Sequence, residues 1–466
     1  LTVSTLAIFY EKNIISFMFN SNSLMAQVTL PNALFGDNMV LQRHQKIAIF
    51  GKATTVANIE VYFKNKQYTA NVKNGYWKVL LDESEAGGPF DLTIKGSNTI
   101  TFTNILVGEV WLSSGQSNMQ MPLKGFSGQP VNGSNEAILT SANSNLRFFE
   151  APRKTADKTQ EYIAGKWQLS SPKTSPKLSA AAYFFGKFLQ ETLDVPIGLI
   201  VSSWGGTPAE AWTPAEIIKK DFGDFKGWNE NEQTKHRNPS VLYNAMIHPM
   251  IPYTIKGAIW YQGEGNVNRP KQYETLFPAM IESWRVNWGQ GDFPFYFVQI
   301  APFGNAKNHP FLREAQLKTM SSTKNTGMAV TLDIGEKKVI HPAEKKKVGE
   351  RLAYWALAKD YGFNSISYSG PVYKSMEIKK NRAFLSFDYA ETGVNSMGNE
   401  LINFQIAGAD KVFYPAKAAI KRGALSVWSD QVEKPIAVRY AWEAYVEASL
   451  FNNAGLPASS FRTDNW

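Results

Sequence analysis

The sequence predicts an α/β protein: a parallel sheet with helices on both faces, flanked by β-sandwich-like N- and C-terminal regions. Three observations predict it. Residues 28–102 read as short strands broken by Gly, Pro and Asn turns. From about Ile105 the pattern changes to strands alternating with amphipathic helices. After about Gly362 it returns to strands. The chain of 466 residues is too long for one ordinary core, and about three domains are expected at that length. The divisions are 1–26, a leader; 27–104, an N-terminal β domain; 105–362, an α/β domain; and 363–466, a C-terminal β region.

The elements follow in order. In the leader, apolar residues cluster at Ile14–Phe19, and Leu24-Met25-Ala26 has the small-residue character of a processing site. It reads as an export signal, so a periplasmic or extracellular location is expected. In the first β region, Ile59, Val61 and Phe63 alternate with polar residues, and Trp77–Leu81 and Leu92–Ile94 are further strands. Lys73-Asn74-Gly75 and Gly87-Gly88-Pro89 are turn signals. An apolar run from Val107 then stops at a small, polar turn, Ser114-Gly115-Gln116-Ser117-Asn118. Ala181, Phe184, Phe185, Phe188 and Leu189 form a helical stripe, as do Tyr273, Phe277, Met280, Ile281 and Trp284. Pro196–Val201, Gly257–Tyr261, Phe295–Ile300 and Met328–Leu332 are short buried strands, and Val348, Leu352, Trp355 and Ala356 mark a last helix. Phe384–Asp388, Phe404–Ala407 and Ile436–Tyr440 are strands of the C-terminal region.

Composition removes several classes of function. Hydrophobic content of 44% with 13% aromatic residues belongs to a globular chain. No run approaches the roughly 18 apolar residues of a membrane span. There are 49 Lys+Arg against 40 Asp+Glu, but apart from Lys345-Lys346-Lys347 and Lys379-Lys380 they are scattered. No nucleic-acid partner is expected from such a distribution. With no cysteine, disulfides, thiol nucleophiles and zinc–thiolate sites are excluded. There is no H-E-x-x-H helix and no phosphate-binding loop, and Met119 breaks the G-x-S-x-G elbow. No metal or cofactor is expected.

Open parallel sheets bind ligands beyond the carboxyl ends of their strands. After successive strands come Gly115-Gln116-Ser117-Asn118, Ser202-Ser203-Trp204-Gly205-Gly206-Thr207, Gln262-Gly263-Glu264-Gly265-Asn266, and Asp333-Ile334-Gly335 with a loop reaching Ile340-His341-Pro342. Each cluster alone is consistent with an ordinary tight turn. Together they place polar groups at one sheet edge. Ser117 becomes a nucleophile there if a base takes its proton, and His341 is the best-placed base. The Ser117 backbone, Gly206 and the Gln262 side chain are suitable donors for an oxyanion. His44, His236, His248 and His309 read as loop or packing residues. Trp204, Trp212 and Trp260 have the size either to stack on sugar rings or to pack a core.

Gly108–Met119, Trp204–Trp212, Ile259–Glu264, and Asp333–Gly335 with Ile340–Pro342 and Val348–Ala353 resemble, in order, the blocks of the sialate O-acetylesterase family of the SGNH-hydrolase superfamily. Leu34–Gln42, Phe404–Asp410, Val438–Trp442 and Gly455–Pro457 extend the resemblance over nearly the whole chain after residue 30. It implies an SGNH-type three-layer α/β/α domain and a metal-independent serine esterase that removes O-acetyl groups from sugars. Ser117 would be nucleophile, His341 base, and Gly206 and Gln262 oxyanion donors. The substrate would be an O-acetylated sialic acid or an acetylated glycan such as xylan.

Three positions depart from the family pattern. Lys338 stands three residues before His341, where the superfamily commonly has its supporting Asp. That leaves Asp333 as first choice for the acid, Glu264 as the next, and a backbone carbonyl orienting His341 as a third arrangement. Gly265 replaces a usual Ser, which implies a looser loop, and Ser113 replaces a common Cys. The missing Asp also keeps open a non-catalytic glycan-binding protein, for which Ser117 would be dispensable.

Overall fold

The computed structural model describes residues 28–30, 33–53, 58–223, 231 and 233–466. The leader expected at 1–26 lies outside the described residues. Seven strands form the central sheet: β1 (Thr99–Gly115), β2 (Asn143–Glu150), β3 (Trp167–Ser170), β4 (Ile197–Ser203), β5 (Gly257–Tyr261), β6 (Phe295–Val298) and β7 (Thr326–Ala329). Their order is β7-β6-β5-β1-β4-β2-β3. Every pairing is parallel except that of β2 with β3.

The sequences of β4, β5 and β6 are buried at every position. Such uninterrupted apolar runs are what a sheet covered on both faces requires. Five helices frame the site: α1 (Ser117–Gln120), α2 (Ala180–Leu193), α3 (Pro270–Trp288), α4 (His309–Ser322) and α5 (Lys345–Asp360). Alternate strand residues point to opposite faces. Leu112, Ile200, Trp260 and Phe297 join a core with Phe277, Trp284 and Leu312 of α3 and α4. Trp111, Leu199, Tyr261 and Val298 join a second core with Phe185 and Leu189 of α2 and Val348 and Leu352 of α5. Helix, sheet and helix thus form three layers.

β1 is unusually long. Its first half pairs antiparallel with Gly87–Lys95 and parallel with Val40–Gln42 of the N-terminal sheet. Its second half lies between β4 and β5. The division expected between residues 104 and 105 therefore falls inside one continuous strand. Gly87-Gly88-Pro89, expected as a turn, instead begins the strand Gly87–Lys95, where the register to β1 shifts twice. Irregular pairing is where a strand accommodates Gly and Pro.

The C-terminal region contains two four-stranded antiparallel sheets. Buried Arg313 of α4 ties it to the central domain. Its guanidinium donates to Ser460 Oγ and to the carbonyls of Ala441, Glu443 and Ala444. Among the described residues, no helix is long and apolar enough to cross a membrane.

Candidate active site

β4 lies on one side of β1 and β5 on the other, so the crevice of the sheet opens at the end of β1. Gly115 ends that strand with φ +134°. A Cβ there would lie 2.2 Å from the Tyr261 carbonyl oxygen, so only glycine lets β1 pass the end of β5. The chain then turns through extended Gln116 into α1, and half-buried Ser117 is the first helical residue.

His341 Nε2 lies 2.8 Å from Ser117 Oγ. Its Nδ1 meets Gln129 Oε1, which can only accept, so Nδ1 carries the proton and Nε2 presents a lone pair to the serine. The Phe126 ring packs edge-on against the imidazole at 5.3 Å. Phe126 and Gln129 face each other across a tight loop, each backbone N–H donating to the other's carbonyl. Burial, helped by the Lys345 charge, pushes the His341 pKa down to about 4, so the ring is neutral over most of the working pH range.

Two expected positions must be corrected. Asp333 does not reach His341. Its carboxylate is forked by Arg351 of α5 at 2.6 and 2.7 Å, with Lys347 at 3.5 Å. β7 ends at Ala329 rather than at Leu332, which leaves Asp333 in the following turn, where a bidentate guanidinium holds it. Gln262 is buried with both amide hydrogens committed, to the Thr207 carbonyl (3.2 Å) and to Asn266 Oδ1 (2.8 Å). Its Oε1 accepts from the Tyr273 hydroxyl. It braces two loops and has no hydrogen left for an oxyanion.

Glu264 also stands away from His341: its Oε1 accepts from Asn118 Nδ2 at 2.6 Å, and burial raises its pKa. The Gly265 loop is not loose. The Gly265 N–H donates to Gln116 Oε1, and a Cβ there would lie 2.7 Å from the Thr207 carbonyl.

Gly206 is exposed, with φ +73°. The turn containing it lies against the serine, since a Cβ on Gly205 would sit 3.1 Å from Ser117 Cβ. The Gly205 N–H is capped by Gln120 Oε1. The N–H groups of Ser117 and Gly206 meet no protein acceptor among the described residues. Trp212 and Trp260 are wholly buried and pack edge to face. Trp204 is partly exposed and stacks on His236 at 4.8 Å. Among the described residues, no cluster of three or more His, Asp or Glu side chains could hold a metal ion.

Gln129 and Phe126 were not foreseen from the sequence. The only signal for them is the glycine pair Gly125 and Gly128, which marks a tight loop soon after the Ser117 turn.

A model of the family described as "Carbohydrate esterase, sialic acid-specific acetylesterase" matches residues 107–358. The chain is 32% identical to the sialate O-acetylesterase of Homo sapiens, over 91% of this chain and 90% of that one. It is 30% identical to that of Rattus norvegicus, over 92% and 93%. The crystal structure of a carbohydrate acetylesterase from Xanthomonas citri superposes with a TM-score of 0.87 at 37% identity, covering 94% of this chain and all of that one. A match of this extent, on a fold that brings the four sequence blocks to one sheet edge, makes the chain an esterase that belongs to the sialate O-acetylesterase family of carbohydrate esterases.

Proposed function

We propose that the protein is exported and removes O-acetyl groups from sugars by covalent catalysis at Ser117, with His341 as the base. The 2.8 Å contact between Ser117 Oγ and His341 Nε2 carries this reading. Ser117 Oγ attacks the acetyl carbonyl while its proton passes to Nε2. The N–H groups of Ser117 and Gly206 receive the oxyanion. The sugar oxygen leaves with the proton from His341. A water deprotonated by the same nitrogen then attacks the acyl-enzyme and releases acetate. Acetate release from O-acetylated sialic acid, acetylated xylan fragments and an aryl acetate tests the proposal. A well-folded protein inert on all three would sink it.

The dyad has an amide carbonyl, not a carboxylate, behind the imidazole. A dipole stabilises the imidazolium less than an anion would. With the pKa near 4, the base stays neutral as pH falls, so the acid limb of kcat/KM should lie well below the ordinary histidine range. Gln129→Glu would place a negative charge on Nδ1 and raise that pKa. Its acid limb is expected to move upward by at least about one pH unit. Limbs that coincide would remove Gln129 from this role.

An acidic sugar is the favoured substrate. A groove of about 750 Å³ beside the serine is lined by Gln120, Phe126, Lys124, Arg153, Lys166 and Lys177, with Glu150 as the carboxylate among its lining residues. None of its four cations forms an ion pair within 4 Å among the described residues. Arg153 lies 5.9 Å over the Trp204 ring, and Arg153 and Lys177 act on Glu150 through space, so the groove carries a net positive charge suited to a carboxylate on the sugar. Arg153→Gln with Lys166→Gln should raise KM for O-acetylated sialic acid about tenfold, the loss of one charge-assisted contact. The aryl acetate, which lacks that carboxylate, is the reference. An equal KM rise on both esters would refute the assignment of the groove.

A further inference from the structure

Lys345 occupies an unfavourable position. It is the first residue of α5 and is fully buried. A buried ammonium loses its hydration, and the amino end of a helix carries a partial positive charge that repels it. Its pKa is pushed down to about 7 by burial, with Glu264 and Glu336 opposing. Helix formation does not require a lysine there, since an apolar residue would fill the space at lower cost.

Its contacts explain the position. Lys345 Nζ donates to Asn118 Oδ1 at 2.5 Å and lies 5.1 Å from the centre of the Tyr261 ring. Asn118 is fully buried and directly follows Ser117. Its Nδ2 donates to Glu264 Oε1 at 2.6 Å and to the Ile340 carbonyl at 3.1 Å. Ile340 directly precedes His341. One amide therefore joins the nucleophile turn, the loop after β5 and the histidine loop. Its orientation is fixed by charge. Turned over, its NH₂ would face an ammonium, and its oxygen would face a carboxylate and a carbonyl.

Building on the Ser117–His341 reading, we infer that Lys345 is a positioning residue for the reaction: its ammonium locks the Asn118 amide, which holds the histidine loop in register with the nucleophile turn. Lys345 does not touch the reacting atoms and acts through Asn118. It is also the charged group that depresses the His341 pKa. Glu264 and Glu336 are the carboxylates that act on Lys345 itself.

The test is kinetics on the aryl acetate, whose small leaving group needs no sugar subsite. Lys345→Met keeps the stem and removes the charge. Its kcat is expected to fall about 10–100-fold, the cost of a loosened near-attack geometry, with KM nearly unchanged. Its acid limb should move to higher pH, because a positive neighbour of His341 is gone. The limb shift reports the lost charge, and the fall in kcat at unchanged KM reports the lost positioning. Lys345→Met also leaves Glu264 without its counter-charge. The pair Lys345→Met/Glu264→Gln, compared with Glu264→Gln alone, therefore gives the same readout in a charge-balanced background. Folded Lys345→Met with wild-type kcat and limb, or a double variant equal to Glu264→Gln, overturns the inference. Ser117→Ala run in parallel separates the failures. If Ser117→Ala is inert and the lysine variants are fully active, only the lysine assignment falls. If Ser117→Ala keeps its rate, the dyad falls and this inference with it.

Discussion

Ser117→Ala is expected to lower kcat on every acetyl ester by about 10⁴–10⁶-fold, while the protein folds as before. The size follows from the chemistry. Without Oγ there is no atom to form the acyl-enzyme, and His341 can only assist direct attack by water. What survives is the contribution of the backbone N–H donors and of binding. The specificity follows from the structure. The Ser117 hydroxyl's hydrogen-bond partner among the described residues is His341, and the side chain is half-buried at a crevice, so its removal leaves little unsatisfied. Steady-state kinetics beside a thermal melt checks both halves. Activity within tenfold of wild type, with contaminating esterase excluded by active-site titration, would show that the ester is opened elsewhere.

Gly115→Ala is expected to act through the backbone. The new methyl would sit 2.2 Å from the Tyr261 carbonyl oxygen and 2.9 Å from its nitrogen, and neither can swing away as a side-chain tip can. The same residue accepts a hydrogen bond from Trp204 N, and the next residue donates to the Tyr261 carbonyl. β4 and β5 are thus both fastened to this point. Adding the strained φ of +134°, the cost is on the order of 3 kcal/mol or more. The expected result is a melting midpoint lowered by several degrees, lower soluble yield, and a kcat loss larger than the stability loss explains, because Ser117 moves with the strand end. An unchanged midpoint and rate would mean that the turn is not held as tightly as its contacts imply.

Much of the fold was legible because burial on both faces leaves a plain record. β5 reads as five apolar-facing residues, and the structure gives the same Gly257–Tyr261 bounds. α4 was missed because part of its buried face is polar: Arg313, Gln316 and Thr319 are buried and hydrogen-bonded, which hides the helical period. β2 opens with Asn143-Ser144-Asn145 and so lacks a strand signature. At the site, Ser117 and His341 could be paired on paper because strand ends of a parallel sheet converge. The partner of Nδ1 could not. A carboxylate is the expected partner, and Asp333 stands at the end of the preceding apolar run, but Arg351, eighteen residues on, holds it. Gln129 carries no charge and sits 212 residues from His341, so neither spacing nor residue type points to it. Gln262 was assigned by chemistry, as an amide that can donate. Only the structure shows that its hydrogens are already given to Thr207 and Asn266.

β1 bears on how such a protein can be inherited. A strand whose first half belongs to one sheet and whose second half belongs to another offers no seam. A recombination event with its breakpoint inside Thr99–Gly115 would separate residues that share one hydrogen-bond ladder and would expose unpaired edges on both fragments. Modules joined by flexible linkers can be gained, lost or exchanged without such damage. The N-terminal sheet and the esterase sheet are therefore expected to pass together through recombination, because a breakpoint within β1 leaves neither with its ladder intact.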